Sequence, residues 1–312
     1  MTAFRSKSPQ TASDGFIVVA VLWILGALAT LASVYAVYVA NTAMALAVND
    51  DGVRAEALVS AALELTAYQL NVKEEVRPAH GEFRFRLSRA NVAASFRSEG
   101  ARIDLNAAPK ELLAGLFASL GARPDDALSY ADRIIAWRQG APAESPEEDK
   151  EPSAYRSAGL NYLPRGAPFP HVGELWLVLG LPPALVERAI PLVTVYSGRA
   201  EINVLEAPPE IVAALPGMTS DRLYTVLRQR AAAPQDAQTL ISLLGPAQAM
   251  TTIEATRATR VTVRISFDNG RRMASEVVIL PNEDGYSPFG VLSWRDDIDE
   301  GAADQRTGVG SR

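Results

Sequence analysis

The longest uniform pattern in the chain lies near its start. From Phe16 to Ala40 no position carries a charged side chain. The 24 residues from Phe16 to Val39 would make a helix of about 36 Å at about 1.5 Å per residue. That length exceeds the roughly 30 Å hydrocarbon core of a bilayer, so the pattern predicts a membrane span with some tilt. A removable export signal has an apolar region of only about 7–15 residues, so a retained anchor is favoured. Arg5 and Lys7 precede the run and Asn49, Asp50 and Asp51 follow it. This charge asymmetry places the N-terminus in the cytoplasm and the bulk of the chain outside.

Beyond the span the period changes. Leu58, Ala61, Leu65, Tyr68 and Val72 recur every three or four positions, which predicts a helix with one narrow apolar seam. Joined to the span it reads as one long helix, with Gly52 as a loosening between the halves and Pro78 as its stop. "GEFRFRL" then alternates Phe83, Phe85 and Leu87 on one side, as a half-buried strand does. Near the C-terminus "RVTVRISF" alternates in the same way, Asn269-Gly270 marks a tight turn, and "SEVVIL" returns. "GVLSW" (Gly290 to Trp294) supplies a further strand.

About 150 residues of different character separate these strands, and they contain a repeat. "IDLNAAPKELLAGL" (Ile103 to Leu116) aligns with "INVLEAPPEIVAAL" (Ile202 to Leu215), matching Ala108 to Ala207, Pro109 to Pro208 and Glu111 to Glu210. Each copy is an extended pair of residues followed by a helix start, with proline and a glutamate in the first turn, where the helix dipole favours negative charge. Two similar helical lobes are expected.

Composition narrows the functional classes. The chain has 312 residues, 48% of them hydrophobic, and a net charge of −6. That is enough for about two domains with packed cores. Its arginines are scattered among more numerous acids, unlike the concentrated basic face of a phosphate-binding protein. There is no cysteine, which excludes a disulfide framework and thiolate metal sites. His80 and His171 are too few and too far apart for a zinc site. No nucleophile elbow, phosphate loop or His-Glu metal motif occurs, so no enzyme is indicated. His171 reads as a helix-start residue and Trp176 as core filling.

The front edge of the apolar run carries a more specific signal. A short basic segment ends at Gly15, and the run begins at once with Phe16. This resembles the type IV prepilin leader, which prepilin peptidase cuts on the cytoplasmic side, leaving the helix intact and usually methylating the new N-terminus. Most pilins and pseudopilins place a glutamate five residues after the cut; here that residue is Ala20. A carboxylate without its partner is costly in lipid, so its loss suits a subunit that has no neighbour to pair with. Gly26, Ala29, Ser33 and Ala36 form a small-residue stripe that would let helices approach closely in a membrane.

Four segments in order, "RIDLNAAPKELLAGLFASLG", "ADRIIAWRQ", "FPHVGELWLVLGL" and "AEINVLEAPPEIVAALPGM", resemble the helical domain of the type II secretion protein K (GspK) family. "SPFGVLSWRDD" resembles its closing strand, and loss of the glutamate at Ala20 is typical of that family. The resemblance implies an α+β protein: a pilin-like long N-terminal helix plus antiparallel sheet, interrupted by a large all-helical insert with two similar lobes. It implies a minor pseudopilin at the tip of a periplasmic pseudopilus, for export of folded proteins across the outer membrane. The implied partners are the minor pseudopilins I and J, prepilin peptidase and the inner-membrane secretion platform, with no nucleic acid.

The layout expected is a leader over 1–15, a membrane half-helix over 16–40, and an amphipathic helix with the first strands over 41–105. The helical insert covers 106–256, with lobes at about 106–200 and 201–256. Closing strands cover 257–295 and a disordered tail 296–312.

Two alternatives stay open. Family members often bind calcium with acids after the tryptophan of the "AD.I..W" segment, but Trp137 is followed here by Arg138, Gln139 and Gly140. The loop with Glu147, Glu148 and Asp149 offers carboxylates instead, or is a solvated acidic loop. "LPGMTSDRLYTVLRQR" (Leu215 to Arg230) looks like half of a helix-hairpin-helix, so the rival function is a membrane-anchored periplasmic DNA-binding protein.

Overall fold

The computed structural model describes residues 13–72, 77–139, 150–282 and 287–296. The chain divides into two compact units, Met1–Ala57 and Leu58–Arg312. Helix α1, Ser13–Val72, supplies all the described structure of the first unit and opens the second. Its backbone runs through Gly52 without the expected loosening.

In the second unit the last turns of α1 bury Leu58, Val59, Ala62, Leu63, Thr66, Ala67 and Leu70. The seam expected from the large side chains is therefore misplaced: Leu65 is 42% and Tyr68 66% exposed. The buried stripe includes Ala62 and Ala67, whose small side chains give little contrast in sequence. The buried Thr66 hydroxyl donates to the Ala62 carbonyl one turn back, so it leaves no unpaired polar atom in the core.

Five antiparallel strands form the sheet: β1 (His80–Leu87), β2 (Ala90–Ser98), β7 (Thr259–Phe267), β8 (Arg272–Pro281) and β9 (Phe289–Asp296), in that spatial order. β1 and β2 are joined at Ser88 and Arg89, both with positive φ (51° and 60°). This is the backbone of a two-residue hairpin without its usual glycine or asparagine. β7 and β8 turn at Gly270 (φ 86°), where the Phe267 amide donates to the Arg271 carbonyl. One sheet face is apolar, with Val92, Ala94, Phe96, Val261, Val263, Ile265 and Val277 buried. On the other face Ala274 and Val278, opposite Arg264 and Arg260, are buried as well.

Between β2 and β7 the chain makes two lobes around a continuous core that includes Ile103, Leu113, Phe117, Ile134, Trp137, Ile202, Ile211 and Leu240. Lobe 1 holds β3 (Ile103–Asp104), α2 (Lys110–Ser119), α3 (Pro124–Gln139), α4 (Lys150–Ser157), α5 (Pro183–Ala189) and β4 (Val193–Thr194). Lobe 2 holds β5 (Ile202–Asn203), α6 (Pro209–Ala213), α7 (Ser220–Ala232), α8 (Ala237–Leu244) and β6 (Thr251–Thr252). Each lobe is closed by a two-residue parallel bridge, β3 with β4 and β5 with β6.

The repeat extends to single hydrogen bonds. Asp104 accepts from the Asn106 amide (2.8 Å), and Asn203 accepts from the Leu205 amide (3.0 Å). Both are the side-chain turn that Asp and Asn favour before a helix. Arg138 then donates to the Leu105 and Ala108 carbonyls, and Arg230 donates to the matching Val204 and Ala207 carbonyls. The lobes touch most closely where α2 meets α6: a Cβ on Gly115 would lie 1.9 Å from the Ala214 carbonyl oxygen.

Candidate functional site

Two features are built beyond what folding of the parts requires. The first is the apolar stretch of α1. Val18–Thr42 is the one span among the described residues that is long and apolar enough to cross a membrane, with a mean hydropathy of 2.2. Its large side chains stand in the open: Trp23 is 78% exposed and Leu31 66%. Its serine and threonine hydroxyls bond back within the helix, Thr30 to the Gly26 carbonyl, Ser33 to Ala29 and Thr42 to Tyr38. In hydrocarbon an unsatisfied hydroxyl would be costly, so these bonds suit a helix immersed in lipid. The stretch is compatible with a membrane anchor.

The second is the junction where the insert leaves and re-enters the sheet. Entry at Ser98 and exit at Thr256 are 158 residues apart, yet their hydroxyls are 2.9 Å from one another. The Thr256 amide donates to the Ser98 hydroxyl, the Gly100 amide to the Thr256 hydroxyl, and the Glu99 amide to the Ala258 carbonyl. A side chain at Gly100 would press on the Thr256 methyl at 2.9 Å, so glycine is what lets the two segments close.

Beside this knot Glu99 is buried at 1% exposure. It accepts from Arg260 on β7 through Nε (2.7 Å) and Nη2 (3.1 Å), and from the Thr194 hydroxyl on β4. Arg102 lies 3.5 Å away. Arg260 reaches on through Nη1 to Glu276 of β8 (2.6 Å), and Glu276 also accepts from Arg295 of β9. Burial opposes ionisation of Glu99, but the Arg260 and Arg102 charges outweigh it and hold its carboxyl below the usual range. Burial opposes ionisation of Glu276 too, and Arg260, Arg102 and Arg295 bring it down to about 2. Burial would lower Arg260, but its two carboxylates raise it, so it stays charged. The network ties three strands of the sheet to the closing bridge of lobe 1.

An outer contact joins lobe 2 to the sheet. His80 Nδ1 lies 2.7 Å from Glu206, which is also 3.9 Å from Arg97. Glu206 sits in the turn after β5, so each lobe has its own fastening to the strands.

The residues singled out from sequence fall in different places. Gly15 and Phe16 lie in the first turns of α1. Ala20 is partly exposed and Gly26, Ala29 and Ser33 are exposed, with nothing within 4 Å of a Cβ on Gly26. Glu147, Glu148 and Asp149 lie outside the described residues, as does the tail after Asp296. Among the described residues no three His, Cys, Asp or Glu converge as a metal site. His171 caps the short 3₁₀ helix Val172–Leu177, accepting from the Gly173 amide. Trp176 is 48% exposed and does not fill the core; Leu175 does, because a 3₁₀ turn presents a different face from the α-helix expected.

In the hairpin from Leu215 to Arg230, Gly217 has φ 69° and the Thr219 hydroxyl caps α7. Arg222 donates to the Gly217 carbonyl, Arg230 to the lobe 2 turn, and Arg228 lies over Tyr224. These three arginines are spent within the lobe. The sequence reading missed Glu99, Arg260 and Glu276. Only Arg260 and Glu276 sat in recognised strands, and there they looked like ordinary solvent-facing positions.

Residues 88–198, from the first hairpin through lobe 1, match the family model T2SSK_1st, "Type II secretion system (T2SS), protein K". The resemblance to type II secretion system protein K is shown. The match spans Glu99, Thr194 and the whole of lobe 1, so the family's pattern includes one side of the junction. Among solved structures the chain is similar to one in "The Crystal Structure of the GspK-GspI-GspJ complex from enterotoxigenic Escherichia coli Type 2 Secretion System". The TM-score is 0.61 at 17% identity, covering 80% of this chain and 98% of that one. At that identity the likeness is one of fold: helix, antiparallel sheet and large helical insert. No curated protein matches the sequence. The matched family model describes a component of a type II secretion system.

Proposed function

We propose that this protein is a minor pseudopilin of a type II secretion system that caps the tip of the periplasmic pseudopilus and helps start its assembly. The observation that carries the reading is the pairing of a protein K match over 88–198 with an insert sewn into a pilin-like sheet. Prepilin peptidase would cut between Gly15 and Phe16 and leave α1 as a single-pass anchor in the inner membrane. The N-terminus would face the cytoplasm and the sheet and insert the periplasm.

The small-residue stripe at Gly26, Ala29 and Ser33 would pack beside the anchors of the minor pseudopilins I and J. The likeness to a chain of the GspK–GspI–GspJ complex supports those partners. With alanine at position 20, the subunit has no carboxylate to offer a neighbour's terminal amine, which fits a place at the end of the fibre. The insert would be a cap too wide for another subunit to stack on, and the buried junction would keep it from swinging. The inner-membrane platform would extract the assembled tip.

Co-expression of the full chain with its cognate minor pseudopilins I and J tests this reading. A complex of all three that survives detergent extraction and size-exclusion chromatography is expected. Elution of this chain alone under conditions where I and J bind each other contradicts it.

A further inference from the structure

One edge of the sheet is open in a regular way. β1 is the first strand in the spatial order, so among the described residues no strand pairs with its outer side. It runs beside β2 without a break from His80 to Leu87. The Ser98 amide donates to the Ala79 carbonyl just before the strand begins. In an antiparallel ladder the hydrogen-bonded pairs fall on every second residue. Continued from Ala79, that parity turns Gly81, Phe83, Phe85 and Leu87 toward β2. It leaves the amides and carbonyls of His80, Glu82, Arg84 and Arg86 facing outward. The opposite edge differs, because the pairing of β9 with β8 shifts register between Val278 and Ile279, an irregularity of the kind that protects an edge.

Side chains along β1 define what fits beside it. On the apolar face of the sheet Phe83, Phe85 and Leu87 stand opposite Ala94, Val92 and Ala90, which are buried. The two phenylalanine rings stack with centroids 6.2 Å apart, and Leu87 is 49% exposed. The apolar face therefore runs out at β1 with its last row only half covered. On the other face Glu82, Arg84 and Arg86 are exposed, and Arg264 of β7 shares a row with Arg84, with Ala93 between them. Arg86 meets Asp268, but that pair is exposed and so contributes little. Arginine outnumbers acid here, so the complementary charge is negative. A second copy of the strand would bring the same excess of arginine, and like charges opposite one another on a sheet are destabilising.

We propose that the open edge of β1 is a docking site for an extended segment of a partner protein, with carboxylates at alternate positions, that adds to the five strands as a sixth. Its backbone takes up the outward amides and carbonyls from His80 to Arg86. Its acids meet Arg84 and Arg86, and its intervening apolar side chains cover Phe83 and Phe85. Main-chain bonds supply attachment and the alternating side chains supply selectivity, as in other strand additions at a sheet edge. The charges on Glu82, Arg84 and Arg86 also turn away uncharged apolar strands, so the edge is selective rather than adhesive.

The probe is a fluorescein-labelled peptide, Glu-Val-Glu-Val-Lys-Val. In antiparallel register it sets its glutamates opposite Arg86 and Arg84 and its lysine opposite Glu82. Anisotropy titration against the full chain in detergent is expected to show saturable binding, about tenfold tighter than for the charge-swapped Lys-Val-Lys-Val-Glu-Val. Glu82→Pro should weaken binding about tenfold and leave the ladder with β2 intact, because the amide it removes faces outward. Arg84→Glu with Arg86→Glu should reverse the preference between the two peptides, which mere loss of folding would not do. No binding at about 1 mM, equal binding of the two peptides, or a preference unmoved by the arginine reversals overturns the proposal. A dimer of the full chain that Glu82→Pro dissolves overturns it too, by giving the edge to a second copy.

Discussion

Glu99→Gln tests how firmly the insert is held. The substitution keeps the shape of the side chain and removes the charge that meets Arg260 at 2.7 and 3.1 Å. Removing one member of a buried ion pair costs about 3–5 kcal/mol, mostly because the other charge stays buried without compensation. Arg260 keeps Glu276 at 2.6 Å, so the low end applies, about 3 kcal/mol. For a unit of this size 1 kcal/mol is worth about 2–4 °C, which predicts a melting point lower by about 6–12 °C. Fluorescence melting of the full chain in detergent reports it, since Trp137 is buried in lobe 1 at 3% exposure. Arg86→Gln is the contrast, because the Arg86–Asp268 pair is exposed at 63% and 45% and such pairs contribute about 0–1 kcal/mol. The reasoning also has a pH signature. Glu99 and Glu276 are both held below their ordinary value near 4.5, so their contribution is complete above that value. It is lost as pH falls through the folded values, toward about 2 for Glu276. Glu99→Gln should flatten the loss of stability below pH 4.5. A melting point within 2 °C of the parent, or acid sensitivity unchanged by the substitution, would refute the account of the junction.

Other outcomes follow from the same structure. Gly115→Ala should cost about 1–3 kcal/mol in urea unfolding despite alanine's better helix propensity, because the new methyl meets the Ala214 carbonyl at 1.9 Å. Arg138→Ala and Arg230→Ala should each destabilise their own lobe by about 1–3 kcal/mol by stranding two carbonyls, with hydrogen exchange accelerating in that lobe first. Gly15→Ala should leave membrane insertion intact and block both processing and secretion; a variant still cut and still supporting secretion would remove the leader reading.

Much of the sheet was legible in sequence because large apolar residues alternate with arginines in β1 and β7, and Asn269-Gly270 marks the turn between β7 and β8. β2 was not legible. Its buried positions include Ala90 and Ala94, its outward positions include Ala93, and its hairpin turns on Ser88-Arg89 rather than asparagine and glycine. The repeat was readable down to its prolines, since both copies need the same helix start. The arginines that brace those copies were not, because Arg138 and Arg230 sit at different distances from the motif in the two lobes. Glu99 was the hardest. It is a lone acid in a short loop, and its partner Arg260 lies 161 residues away on a face that periodicity marks as solvent. Burial created by a long insertion leaves no local trace in the pattern of either segment.

The claim that this is a processed pseudopilin is tested most directly by the intact mass of the protein purified from membranes of a host with prepilin peptidase. The account predicts a chain that begins at Phe16, with or without one added methyl group, and still holds the apolar helix. A chain that keeps Met1 to Gly15, or one cut beyond the apolar run, would contradict it.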